Sequence, residues 1–371
     1  MVATRIALLI LALLPAGAAA FTPDDGVTDL NALRTSVGET PVTLYAPWNT
    51  GCDHANNYTQ QTGELTHNED PSKPGYTADG SDAAGNSVLA GGERLPSAAW
   101  LGAPLHRTGI LQPRLAVTGY AASHGSTCMR IGNTNSMSQN GEPLAENEAL
   151  TTPGLTTYPY PPDGATGVRL SGDQRGQEGP DPFTLLPDAI TRTGMPLTVE
   201  FNGPWTEASF GITRDITAAT LAPTGGVAPP VQLAACGSGC DYDLYLGGAI
   251  LLEPYEQYLP GTKYGAHVTG SVSDFAGDMF PLDLTWTFTT AGTPPRVSIG
   301  KGVRHGSKVA FAVRNVSPGY RALVTVGHHS AKTVTFAGQD VITANRPRKH
   351  HSVTVRVGLG NVTASRTYKR R

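Results

Sequence analysis

The chain has 371 residues, a formal net charge of −3, only 15% charged residues, and 44 Gly with 29 Pro. That length suggests two or three domains, and so many turn formers suggest a fold rich in β structure. Beyond the first twenty residues no apolar run approaches the length of a membrane span, so no transmembrane segment is expected.

Residues 1–20, "MVATRIALLILALLPAGAAA", read as a secretory signal peptide. Arg5 supplies the positive start, residues 6–14 the short apolar stretch, and three alanines at 18–20 the cleavage site before Phe21. The expectation is a secreted, extracellular protein, associated with the cell wall or another envelope layer. Four cysteines in an exported chain read as disulfides, with three connectivities open. Cys52 with Cys128 and Cys236 with Cys240 is favoured, because each pair then stays inside one domain. The "CGSGC" step is also half of a zinc site in outline, but no further ligands stand near it in sequence.

Residues 28–130 carry the helical signals. "TDLNALRTSVG" offers Thr28 or Asp29 as an N-cap, Leu30, Leu33 and Val37 at helical spacing, and Gly38 as a stop. "PWNTGCDHANNYTQQTG" predicts a second helix ending at Gly63, with Cys52 on its buried face and His54 turned away. A third helix is expected through "SDAAGNSVLA" and a fourth from Pro96 through Trp100, ended or kinked by Pro104. "LAVTGYAAS" and "STCMRIG" read as strands.

The Pro- and Gly-rich stretch 136–192 is expected to be a connector, with loops and room for two short strands. Residues 193–292 alternate as strands do, most clearly in "PLTVEFNG", "LTWTFTT" and the strand after the Pro260-Gly261 turn. They suit a sandwich of two sheets. Residues 295–371 repeat the β pattern as a small terminal domain. From Arg296 onward there are fifteen Lys or Arg and one acid, Asp340, which leaves this part at about +14 and the rest at about −17. The basic patch of Arg346, Arg348, Lys349, Lys369, Arg370 and Arg371 points to an anionic envelope polymer or a surface protein as partner. The plainer alternative is a basic domain that packs on its acidic neighbour. With no interleaved aromatic platform and with export expected, nucleic acid is not a partner.

The run "LNALRTSVGETPVTL…GCDHANNYTQQTGELTHNEDPSKPGYTADGSDAAGNSVLAGG…WLGAPLHRTGILQPRLAVTGYA" resembles the CAP family, named for cysteine-rich secretory proteins, antigen 5 and pathogenesis-related proteins. The resemblance covers roughly residues 28–132. It implies an α+β, α-β-α sandwich domain at 21–135, or as far as about 190; separately, the segment "YLPGTKYGAHVTGSVSD…LTWTFTT" resembles the Ig-like modules of bacterial surface proteins, so a multidomain chain is expected, with an Ig-like β-sandwich and then the small β-domain. The CAP resemblance also implies a cleft that in many members holds two His and two Glu, and in some a divalent metal such as zinc. His67 matches the first histidine and His106 the second. Where the family has its first Glu this chain reads "AGNS" at 84–87, and where it has its second it reads "LPSAAW", so both acids are missing. Glu93 is the nearest acid to the second position and does not match it.

Two imidazoles make half a site, since catalytic zinc takes three protein ligands. Glu69 or Asp70, beside His67 in "HNED", are the substitutes to test. Otherwise both histidines fasten a loop and a helix end by hydrogen bonds. The expectation is therefore a non-enzymatic protein that binds a small or lipidic ligand, or adheres to the envelope, with no cofactor required. The alternative is a metal-assisted hydrolase of peptides or wall polymers. Ser123, His124 and Ser126 form no nucleophile elbow. His328-His329 and His350-His351 read as exposed loop residues.

Overall fold

The first helix begins earlier than its apolar spacing suggests. α1 spans Pro23–Val37, because Thr22 accepts from the Asp25 amide while the Asp25 carboxylate reaches back to the Thr22 amide. That reciprocal cap, with Pro23 in the first turn, starts the helix ahead of Thr28 and Asp29. Gly38 ends it in a left-handed conformation (φ 89°), as expected. The computed structural model describes residues 21–133, 142–147, 149–172, 175–190, 192–205, 212–225, 228–338 and 340–370. The expected signal peptide and Arg371 lie outside the described residues.

A four-stranded sheet organises the first domain. Its strands are β1 (Thr43–Leu44), β2 (Ser87–Gly91), β3 (Val117–Ser123) and β4 (Ser126–Arg130), in the order β1-β3-β4-β2. The other helices are α2 (Ala46–Thr62), α3 (Ala78–Gly85), α4 (Pro96–Trp100) and α5 (Pro104–Ile110). The expected third helix thus stops at Gly85, and "SVLA" becomes β2. Pro104 opens α5 rather than ending a helix.

Two neighbouring residues of β3 show how the helices lie. Successive residues of a strand face opposite sides of a sheet. Gly119 lets α2 come close: a Cβ there would sit 2.4 Å from Cβ of Trp48. Tyr120, facing the other way, covers Gly26 of α1, whose own Cβ would meet the ring at 2.3 Å. So α2 covers one side of β3 and α1 the other. Arg34 of α1 is fully buried and donates to the carbonyls of Thr40, Ile110, Gln112 and Leu115, tying the helix to the chain around α5. Cys52 and Cys128 form a disulfide that joins α2 to β4.

The stretch expected as a connector belongs to the β-sandwich. β5 (Thr156–Tyr160) joins β7 (Leu197–Asn202), β10 (Ile250–Pro254) and β9 (Leu233–Cys236) in the order β5-β7-β10-β9. β6 (Ala165–Val168) joins β12 (Met279–Thr290), β11 (Lys263–Ser273) and β8 (Thr213–Pro223) in the order β6-β12-β11-β8. One core holds the two sheets together, including Leu197, Val199, Phe201, Val268, Trp286 and Phe288. The sandwich therefore starts near Thr156, not at 193. The two short strands had a place in the sequence reading, but neither alternates over enough residues to be assigned to the sandwich. Cys236 and Cys240 form the second disulfide, at the end of β9.

The terminal domain also has two four-stranded sheets. One contains β13 (Ser298–Ile299), β14 (Val303–His305), β15 (Lys308–Arg314) and β18 (Asp340–Asn345). The other contains β16 (Arg321–Val326), β17 (Lys332–Thr335), β19 (Ser352–Leu359) and β20 (Val362–Lys369). Val309, Phe311, Val313, Val355 and Val357 fill the space between them. The molecule is thus mostly β and built of several domains. Among the described residues no helix is long and apolar enough to cross a membrane.

Candidate functional site

α5 carries the second histidine to the junction between the first domain and the sandwich. Two arginines fix this region. Arg107 is fully buried and donates to the Leu101 and Pro196 carbonyls and the Thr198 hydroxyl. Its guanidinium lies 4.5 Å from the centre of the Tyr160 ring. Arg114, also buried, bonds Asn202 and the Trp205 carbonyl. Helix and sandwich are therefore held together by charged groups whose donors are satisfied by backbone and side-chain oxygens.

His106 projects from this anchored helix. Its Nδ1 and its backbone amide are each 2.7 Å from Oε1 of Glu178, which is 6% exposed. Glu178 comes from the segment before β7, so the sandwich side supplies the carboxylate. His67 is placed by the turn between α2 and α3, with Nδ1 2.7 Å from the Ala84 carbonyl at the end of α3. A carbonyl only accepts, so Nδ1 of His67 carries the proton. In both rings Nδ1 is taken, which leaves Nε2 as the nitrogen available to a ligand.

Both rings line one cleft of about 490 Å³. Val88, Leu105 and Ile131 give it an apolar wall from the first domain, and Pro180 and Tyr245 close it from the sandwich. Asn86, Gln112 and Glu146 add polar groups. Clefts of this size at domain junctions, mostly apolar with a few convergent polar groups, are the usual form of a small-molecule site.

The expected substitute carboxylates are elsewhere. Asp70 turns outward and accepts from the Ser72 amide and hydroxyl, which hold its carboxyl below the usual range. Glu69 is buried beside the His54–Asp79 pair, which is itself closed at 2.8 Å. Burial, then the neighbouring Asp79 charge, push the Glu69 carboxyl up to about 7 against the pull of His54. Glu93 accepts from the Gly125 amide. None of the three lines the cleft. Glu69 and Asp70 were expected there because they adjoin His67 in sequence, but one is buried beside the His54–Asp79 pair and the other is held by Ser72.

A zinc ion does not fit the donors present. The cleft is lined by two imidazoles and the Glu146 carboxylate, and Oε1 of Glu178 is engaged by Nδ1 and the amide of His106, but three of these groups do not converge on one point. Among the described residues no group of three or more His, Cys, Asp or Glu is placed to hold a metal ion. No metal-dependent step is therefore derived. Ser123 donates to Asp53 at 2.6 Å, and His124 also approaches Asp53, so serine and histidine share an acid instead of forming a nucleophile–base pair.

Glu178 and Tyr245 are the site residues that sequence reasoning missed. Glu178 lies 72 positions from His106, in a stretch that read as linker, and no local signal marks it.

No family model and no curated protein matches the chain. Among solved structures, a marsupial T cell receptor is 11% identical over 68% of this chain and 79% of that one, with a TM-score of 0.21. A biofilm-associated protein BSP domain is 16% identical over 47% of this chain and 27% of that one, with a TM-score of 0.16. Salmonella alpha-2-macroglobulin is 10% identical over 68% of this chain and 20% of that one, with a TM-score of 0.23. Likenesses this low carry no argument about fold or function.

Proposed function

We propose that this is an exported, non-enzymatic binding protein whose first domain is a CAP-like α-β-α sandwich. Helices on both sides of β3 and the position of His67 and His106 in one cleft support that reading. The sandwich closes the cleft, and the basic terminal domain attaches the protein to an anionic envelope.

The observation that carries the binding function is the paired histidines. When neutral, each presents an Nε2 lone pair, so together they would accept from a hydroxyl or amine on a ligand whose apolar body rests on Val88, Leu105 and Ile131. The probe for a test is 2-naphthol, an apolar fluorophore with one acidic hydroxyl. The mature chain is expected to bind one molecule and to shift its emission toward the naphtholate. His67→Ala and His106→Ala should each weaken binding about tenfold, the value of one lost hydrogen bond that leaves its partner unpaired. Binding that both variants leave unchanged would count against the cleft as the ligand site.

A further inference from the structure

A second cavity, of about 400 Å³, lies where the sandwich meets the terminal domain. Its walls come from four places in the chain. These are the segment before β7 with Arg192, the link from β8 to β9, the segment after β10 with Tyr255, Glu256 and Gln257, and the turn into β16 with Tyr320 and Arg321. The buried Tyr264 forms part of the inner wall, where its hydroxyl accepts from the Leu259 amide at 2.9 Å. None of these residues lines the cleft of His67 and His106. The basic patch expected from the sequence is gathered elsewhere on the terminal domain. There the Arg346 amide donates to the Ser307 carbonyl and the Arg370 amide to the His351 carbonyl, and none of the patch's described residues lines this cavity.

The two domains are tied together beside the cavity. Nη1 of Arg321 donates to Oε1 of Glu256 at 2.9 Å and to the Pro230 carbonyl at 3.3 Å. The Lys263 amide donates to Asn361 at 2.7 Å, and the Asn361 side chain donates to the Thr224 carbonyl. The walls are therefore held in place before any ligand arrives, which lowers the ordering cost of binding.

The groups left over at the lining are polar. Arg192 is exposed, and among the described residues it has no hydrogen bond and no ion pair. Among the described residues Nε and Nη2 of Arg321, Oε2 of Glu256, the Gln257 carboxamide and the hydroxyls of Tyr255 and Tyr320 make no hydrogen bond either. Two guanidiniums stand against one carboxylate, so the lining is short of one negative charge.

This set of groups selects one kind of ligand. Planar side chains with paired donors or acceptors match the neighbouring hydroxyls of a sugar: a carboxylate accepts from both, and a guanidinium or carboxamide donates to both. A tyrosine ring offers its negative face to the weakly positive C–H face of a pyranose. An unpaired guanidinium takes a carboxylate through two parallel bonds. A wholly apolar ligand would strip water from these groups and leave them unpaired.

We infer that this cavity binds one hexuronic acid residue. Arg321 and Glu256 hold its neighbouring hydroxyls, Tyr255 packs against the sugar ring, and Arg192 takes the carboxylate. The ligand bridges the two domains, because Arg192, Tyr255 and Glu256 belong to the sandwich and Arg321 to the terminal domain. This site is separate from the cleft and from the basic patch, and it does not rest on the function proposed for either.

The test titrates the mature chain by calorimetry, at fixed pH and ionic strength, with methyl β-D-glucuronide, methyl β-D-glucoside and cyclohexanecarboxylate. One glucuronide is expected to bind per chain. The other two should each bind at least about tenfold more weakly, since the glucoside lacks the carboxylate and cyclohexanecarboxylate lacks the hydroxyls. Arg192→Ala removes an exposed side chain that holds nothing in the fold. It should bring the glucuronide down to the affinity of the glucoside and leave the glucoside unchanged. Tyr255→Ala should weaken both sugars about fivefold. Absence of glucuronide binding overturns the inference. So does equal binding of glucuronide and cyclohexanecarboxylate, which would make the site a contact for any anion. Glucuronide binding that Arg192→Ala leaves unchanged overturns it too, because the sugar would then sit elsewhere.

Discussion

His106 takes its orientation from a carboxylate that no sequence window around it contains. Glu178→Ala would leave the His106 amide and Nδ1 both without their partner. The expected cost is about 2 kcal/mol by urea unfolding, against about 1 kcal/mol for His67→Ala, which loses a single neutral bond. Equal costs would mean that Glu178 is not the group holding His106. Gly119→Ala tests the close approach of α2. Its Cβ would lie 2.4 Å from Cβ of Trp48 and 2.6 Å from the Trp48 backbone, so the helix must move, at about 3 kcal/mol. The two histidines were singled out by the resemblance of the text around them. Their partners were not, because a hydrogen bond across 72 positions leaves no periodicity to read.

Among the elements, the long and strongly patterned ones were legible. α2, β3, β4 and β11 form where spacing and alternation place them. Local chemistry outweighed spacing at the start of α1, where Thr22, Pro23 and Asp25 make a cap one turn and more ahead of the apolar run. Tertiary pairing outweighed propensity in β2, where alanine-rich text that suits a helix is drawn into the sheet by β4. The favoured cysteine pairing is the one formed. Its two bonds should differ in value, because the loops they close span 76 and 4 positions. Changing Cys52 and Cys128 to Ser should cost about 4 kcal/mol, and changing Cys236 and Cys240 about half of that, by unfolding under oxidising conditions. A larger loss from the second pair would show that the first domain holds α2 against β4 without its crosslink.

For the whole molecule, the count of β regions was legible but their limits were not, since β5 and β6 lie inside text that read as linker. The consequence reaches the site: the sandwich begins early enough to supply Glu178 and to wall the cleft. The junction also buries acids. Burial pushes Glu39 up to about 8 against the pull of Arg34, and Glu253 up to about 8 against Thr193 and then Arg107. An unfolded glutamate releases its proton near 4.3, so between there and 8 the folded chain holds protons that the unfolded chain has lost. Stability from these groups is therefore present at pH 4 and falls as the pH rises, by roughly 3 to 4 kcal/mol for each of the two between pH 5 and 8. Thermal unfolding across that range should show the fall, and Glu253→Gln should reduce it. A profile that rises toward pH 8 would mean that both acids are charged in the folded chain.

The measurement that tests the cleft most directly is ¹⁵N spectroscopy of the histidine rings in the mature chain at pH 8, with and without 2-naphthol. The account predicts that His67 and His106 both carry their proton on Nδ1, and that adding the probe shifts both Nε2 signals together. A proton on Nε2 of either ring, or a response at only one of them, would mean that the two histidines do not face a shared ligand.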